Sequence, residues 1–146
     1  MQNYFQSQYQ KTDVVTADRG KLLVLLYEGA ISYLHKAKEC IQKGDVPGKS
    51  NYLNRVLDII QELNVSLKMK DGGAIAQNLR SLYSFLSTHL VKAKIERDGT
   101  TKIDEALSIL DELYDAWQKI LDKPEVKNMR ETDVSNLPGL SKGFRI

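Results

Sequence analysis

The side chains best suited to chemistry in this sequence are two histidines, one cysteine and several carboxylates on predicted helices. His35 and His89 lie far apart in the sequence, so they do not form a pair of histidine ligands at a ligand spacing. A dinuclear metal site in a helical bundle needs Glu-x-x-His pairs that project inward, and the sequence contains none. We therefore expect no metal site on the carboxylates that could have supplied one, which are Glu28, Asp58, Glu62, Asp111, Glu112 and Asp115.

The sequence also lacks the motifs of nucleotide-binding and hydrolytic enzymes. It has no phosphate-binding glycine loop, no G-x-S-x-G and no H-E-x-x-H. His89 falls on an apolar helical stripe, which favours a packed histidine over a ligand or a catalytic base. Cys40, near a predicted helix end, is more typical of a small buried hydrophobe than of a nucleophile. We expect no enzymatic activity, no cofactor and no metal.

Composition restricts the class of protein further. The chain has 146 residues, of which 42% are hydrophobic and 27% charged, which is ordinary for one globular domain. Its formal charge of +2 is too small to predict binding to nucleic acid or to a membrane surface. No stretch reaches the roughly 18 apolar residues of a membrane span, and the first nine residues contain no signal-peptide core. We therefore expect a cytoplasmic protein without membrane insertion.

The elements that must position these side chains are four predicted amphipathic helices. Apolar residues recur at steps of three and four in four successive segments, whereas strand-type alternation is absent. Matched helices of roughly 20 to 25 residues joined by short turns favour an all-α, antiparallel up-down four-helix bundle. The predicted stripes are Leu23, Leu26, Ala30, Leu34, Ala37 and Ile41; Leu53, Val56, Ile60, Leu63 and Leu67; Ile75, Leu79, Leu82, Leu86, His89 and Ala93; and Ile103, Leu107, Leu110, Tyr114, Trp117 and Leu121.

Capping and turn-forming residues predict where these helices begin and end. Ser and Thr hydroxyls and Asp carboxylates cap helix starts, and glycines favour helix ends. The second helix is expected to end near Lys70, ahead of two glycines. The other predicted signals are a Thr16 cap, a stop at Gly44, a turn over residues 45–48, a stop at residues 98–99 and a capping box from Thr101 to Asp104.

The two ends of the chain differ from the middle. Residues 1–15 form a predicted arm that carries aromatic side chains in a polar background, and residues 16–121 form the bundle. Residues 122–146 contain proline and glycine among charges and predict an irregular C-terminal tail. The pattern leaves two alternatives open for the arm, which are disorder and docking onto an apolar groove of the bundle.

The first helix carries a second apolar stripe beside its main one. Leu22, Leu25, Gly29 and Tyr33 are spaced at three and four residues, so the apolar face is wider than one helical seam requires. A thick core and an exposed groove for a partner explain this width equally well.

Four segments of the chain resemble the FliS-type flagellar secretion chaperones. These are residues 15–30, residues 59–67, residues 110–117 and, most specifically, residues 72–83 with the pattern Gly-Gly-x-Ile-Ala-x-Asn-Leu-x-x-Leu-Tyr. The resemblance covers about residues 4–121 in order and at the right spacing. The chain departs from the family pattern at Arg19, where proline is usual, and at Lys94, where asparagine is usual. Neither change falls on an apolar stripe.

The resemblance implies a function without catalysis. Members of this family are expected to bind the C-terminal segment of flagellin in apolar grooves, to prevent premature polymerisation and to support type III export. The flagellar export apparatus and a second copy of this chain are further candidate partners. The alternative is a generic helical adaptor or a self-associating bundle with another helical partner.

The resemblance also implies which residues carry the binding. The groove wall is expected to consist of apolar residues from the first two helices, and the N-terminal arm is expected to cover the groove until the client displaces it. The predicted groove residues are Leu22, Leu26, Tyr27, Ile60, Leu63 and Leu67. The predicted arm residues are Tyr4, Phe5, Tyr9 and Val14.

Overall fold

The computed structural model describes residues 19–67 and 69–122, and this part of the chain forms an all-α bundle of four helices. They are α1 (Arg19–Lys43), α2 (Val46–Val65), α3 (Met69–Ile95) and α4 (Thr100–Leu121). Helix α1 packs against α2 and α4, and α3 packs against the same two helices. The prediction of an all-α four-helix bundle is therefore confirmed.

The predicted apolar stripes form one shared core between the helices. Leu34, Leu53, Leu86 and Leu110, one from each helix, are all completely buried. Residues near the ends of the stripes, such as Leu23 and Ile41, are only partly buried. The core therefore follows directly from the spacing of apolar side chains, because only one face of each helix is withdrawn from water.

Two cross-helix contacts show that α1 and α4 run in opposite directions. Tyr114 of α4 donates a hydrogen bond to Glu28 of α1 over 2.6 Å. Further along α1, Lys38 pairs at 2.7 Å with Asp104, which lies earlier in α4. Later residues of α1 thus meet earlier residues of α4.

The turn between α1 and α2 is shorter than the sequence predicts. Gly44 ends α1 with a φ of 74°, as expected for a helix stop. Residues 46–48, predicted as part of the turn, instead form the first turn of α2, and that prediction was wrong. The Asp45 side chain caps α2 by accepting a hydrogen bond from the Gly48 amide at 3.0 Å, and Pro47 is tolerated because the first turn needs no amide donor.

The boundary between α2 and α3 also differs from the prediction. Helix α2 ends at Val65 rather than near Lys70, and the Ser66 hydroxyl donates to the Leu63 carbonyl over 2.7 Å. Helix α3 begins at Met69, before the two glycines that were expected to separate the helices. Gly73 interrupts α3 with a φ of 57° and a ψ of −146°, so the glycine signal marks a kink inside the helix.

Asp98, rather than the predicted capping box, organises the start of α4. Its carboxylate accepts hydrogen bonds from the Thr100 hydroxyl and, at 2.9 Å, from the Thr100 amide. These bonds lower the pKa of the Asp98 carboxyl below its ordinary value. Thr101 and Asp104 lie inside the helix, so the prediction of a capping box there was wrong.

A buried lysine joins the start of α2 to the end of α3. Lys49 is only 5% exposed, and its ammonium group donates to the Glu96 backbone carbonyl over 2.6 Å. A carbonyl just beyond a helix end lacks an intrahelical partner, so this cation satisfies it and complements the negative end of the helix dipole. The bond connects α2 to the loop before α4.

Candidate partner-binding surface

The structure places most of the predicted groove residues in the interior of the bundle. Five of the six are 7% exposed or less, and Leu67 is partly buried against the core. The buried residues are Leu22, Leu26, Tyr27, Ile60 and Leu63. Their contact with a client stays a prediction. The predicted arm residues Tyr4, Phe5, Tyr9 and Val14 lie outside the described residues.

Tyr27 forms a hydrogen-bonded centre that connects three helices. Its hydroxyl lies 2.5 Å from the Tyr83 hydroxyl on α3 and accepts a hydrogen bond from the Trp117 indole of α4 over 3.3 Å. All three side chains are at most 3% exposed. Tyr27 therefore points towards α3 and α4.

Burial controls the acidity of this centre. It raises the pKa of Tyr27 to about 12, although hydrogen bonds from Tyr83 and Trp117 act in the opposite direction. It also raises the pKa of Tyr83 well above the ordinary tyrosine value, with the neighbouring Tyr27 acting in the same direction. Both phenols are therefore neutral hydrogen-bonding groups at neutral pH.

The second apolar stripe of α1 leads to an exposed surface beside α2. Leu22 and Tyr33 of this stripe are buried, whereas Leu25 is 41% exposed. The Tyr33 ring stacks on the Tyr52 ring of α2, with centroids 5.8 Å apart and an interplanar angle of 27°. The stripe thus contributes both to the core and to the exposed surface.

Two cations lie on this tyrosine stack. Lys36 Nζ is 5.7 Å from the Tyr33 centroid and 5.9 Å from the Tyr52 centroid. Arg55 Cζ is 5.4 Å and 5.5 Å from the same centroids. These distances fall in the range of cation–π attraction. We define the α1–α2 surface as Leu25, Gly29, Tyr33, Lys36, Tyr52 and Arg55.

Helix α3 carries further exposed apolar side chains. Phe85 is 44% exposed, Val91 40% and Ile95 77%. The Phe85 ring also stacks on the imidazole of His89, with centroids 4.9 Å apart.

The residues considered for chemistry have packing or surface roles. His89 Nε2 lies 3.1 Å from a Glu105 carboxylate oxygen, and the histidine side chain is only 15% exposed. Cys40 is a buried free thiol whose pKa is raised by burial and by nearby Asp45. Within residues 19–67 and 69–122, no group of three or more His, Cys, Asp or Glu side chains is arranged to hold a metal ion. Among the same residues, no helix is long and apolar enough to cross a membrane.

Comparison with known proteins identifies the family. A sequence profile described as "Flagellar protein FliS" matches residues 1–124. The flagellar secretion chaperone FliS of Vibrio cholerae is 36% identical over 114 residues, which cover 78% of this chain and 82% of that protein. The protein of the same name from Salmonella typhimurium is 31% identical, with 80% of this chain and 87% of that protein covered. The chaperone of that name from Bacillus subtilis is 29% identical over 77% of this chain and 83% of its own length.

The profile match extends over all four helices. The profile match spans the arm, the four-helix region and the end of α4. The chain therefore belongs to the FliS family, whose members from Vibrio cholerae and Salmonella typhimurium are named flagellar secretion chaperones.

Proposed function

We propose that this protein is a cytoplasmic export chaperone that binds the C-terminal helical segment of flagellin. Bound in apolar grooves, that segment cannot polymerise prematurely and stays competent for type III export. The observation that carries the proposal is similarity to proteins named flagellar secretion chaperones over about four fifths of this chain. A bundle of amphipathic helices suits this role because a partner helix can lie with its apolar face in a groove between two of them.

The first two helices are the proposed site of client contact. Helices α1 and α2 are joined by the short turn at Gly44, and Tyr33 stacks on Tyr52, so the start of α1 lies beside the end of α2. The predicted groove residues Leu22, Leu26 and Leu63 lie at these two helix ends, and Leu67 lies just beyond the end of α2. Since most of them are buried, client contact requires that covering side chains move aside.

Binding to flagellin is expected to require its last helical segment. Calorimetry with the full chain should show one-to-one binding to intact flagellin and none to a flagellin that lacks this segment. An apolar client that becomes ordered on binding should also give a negative heat-capacity change. Equal binding to both flagellins would contradict the proposed client segment. If neither flagellin binds although circular dichroism shows a folded bundle, the result would favour the generic helical adaptor.

The N-terminal arm is the proposed competitor for the client groove. Deleting residues 1–15 is expected to increase the affinity for intact flagellin, because an intramolecular occupant reduces the fraction of chains able to bind. The affinity of the shortened chain is measured by the same titration. The control is a full-length variant with serine in place of Tyr4, Phe5 and Tyr9, which keeps the length of the arm and removes its aromatic side chains. Unchanged affinity in both variants would eliminate the competing role of the arm.

A further inference from the structure

The α1–α2 surface contains two positive charges that no carboxylate among the described residues neutralises. Within residues 19–67 and 69–122, no carboxylate lies within ion-pair distance of Lys36 or Arg55. Other lysines on this bundle do have such partners, including Lys38, which lies 2.7 Å from Asp104, and Lys102, which lies 2.5 Å from Glu96. Lys36 and Arg55 instead lie on tyrosine rings.

Both cations lie against the same pair of tyrosine rings. Each cation is within 6 Å of both ring centroids, although two like charges repel each other. Tyr33 is buried and Tyr52 and Arg55 are partly buried, so the rings have little freedom to move away. An anion that contacts both Lys36 and Arg55 would offset their like charges through charge-assisted hydrogen bonds.

The apolar part of the same surface indicates what carries the anion. Leu25 is 41% exposed, and it lies on the same side of α1 as Gly29, Tyr33 and Lys36. Leu25 and Lys36 are about 16 Å apart along the helix axis at the usual rise. A partner helix of about three turns could therefore contact Leu25 with an apolar residue and reach the cations with an acidic one.

We propose that the α1–α2 surface recognises a carboxylate on an amphipathic helix of the client. An acidic side chain of that helix bridges Lys36 and Arg55, and an apolar side chain about 11 residues away lies against Leu25 and Gly29. The guanidinium of Arg55 offers a planar pair of donors that matches a carboxylate. This inference rests on the proposed function, because it gives the flagellin segment a second, charge-specific contact.

The decisive experiment compares charge reversals on two surfaces of the full-length protein. The test variant carries Lys36→Glu and Arg55→Glu. The control variant carries Lys92→Glu and Arg97→Glu, two exposed residues in and after the last turn of α3, and has the same net charge. Both are titrated calorimetrically with intact flagellin at low and high salt, and their folding is checked by circular dichroism.

The test variant is expected to bind about tenfold to a hundredfold more weakly than the unmodified chain at low salt, which is the size of effect of losing a charged hydrogen-bonded contact. Added salt should narrow this difference, because screening weakens the repulsion introduced by the new glutamates. The control variant should stay within about threefold of the unmodified chain, as exposed charges away from a contact contribute little.

A charge-swapped client identifies the carboxylate directly. Each acidic residue of the flagellin segment is replaced in turn by lysine, and one such flagellin is expected to recover binding to the test variant. A Lys36→Gln, Arg55→Gln variant replaces the test variant if the reversal unfolds the chain.

Each alternative result has one meaning. If the unmodified and test proteins bind flagellin equally, the inference is wrong and the proposed function stands. Equal weakening of the test and control variants would indicate only a general charge effect and would also overturn the inference. If the unmodified chain does not bind flagellin, the proposed function fails and the inference falls with it.

Discussion

Replacing Gly99 by alanine is expected to lower the free energy of unfolding by about 3 to 4 kcal/mol, from left-handed strain and steric overlap together. Gly99 adopts a φ of 84°, in the left-handed region that side chains disfavour. A Cβ at this position would also lie 2.4 Å from the Ala93 backbone oxygen in the last turn of α3. Because that oxygen belongs to a helix backbone, it cannot rotate away as a flexible side chain would.

Gly44 provides the matched control for this substitution. It has a φ of 74°, close to that of Gly99, but a Cβ there would meet no atom within 4 Å. Gly44→Ala should therefore cost only the left-handed strain, about 1 to 2 kcal/mol. Urea unfolding measures the free energy of unfolding of both variants. The difference between their two losses of stability is the steric cost of placing a Cβ where the loop approaches α3. Equal destabilisation would show that the loop moves aside at little cost.

Alkaline pH is expected to destabilise the bundle by about 3 kcal/mol through Tyr27 alone, given a pKa raised from 10.0 to about 12. In the unfolded chain the phenol loses its proton near pH 10, whereas the folded chain retains it to about pH 12. The unfolded state then binds fewer protons, so stability is fully present below pH 10 and is lost as the pH rises towards 12. Tyr83 acts in the same direction.

The Tyr27→Phe variant tests the origin of this loss. It removes the titrating phenol, so the decline in stability between pH 10 and 12 should become shallower. At neutral pH the same variant should be less stable by about 2 kcal/mol, because the Trp117 indole and the Tyr83 hydroxyl lose a buried partner. Urea titrations across this pH range measure both effects. An unchanged alkaline slope would assign the loss to other groups, among them Cys40 and Tyr114, whose pKa values are also raised.

Helix boundaries were the weakest part of the sequence-based description. Ser66 and Asp98 end α2 and start α4, although residues 71–73 and Thr101 carried the stronger local signals. Ser, Asp, Thr and Gly all act at helix ends, and several such residues stand close together at each boundary. Which of these residues starts or ends a helix depends on where the helix stops packing against its neighbours. The spacing of apolar residues along the chain does not contain that information.

The candidate binding site was predictable only in part. The second stripe of α1 indicated surplus apolar surface, and Leu25 is its exposed member. The direction of Tyr27, by contrast, was not predictable, because its partners Tyr83 and Trp117 stand 56 and 90 residues away in the chain. The pairing of Lys36 and Arg55 over two tyrosines likewise requires α1 and α2 to be placed side by side.

The sequence by itself determined the number of helices and the face that each one buries. That information is local, because one turn of helix brings residues three and four apart onto the same side. Only the tertiary structure decided which polar groups meet across helices, such as buried Lys49 with the Glu96 carbonyl. Such contacts depend on the relative rotation and register of two packed helices, which are set by the combined packing of the whole core rather than by any one segment.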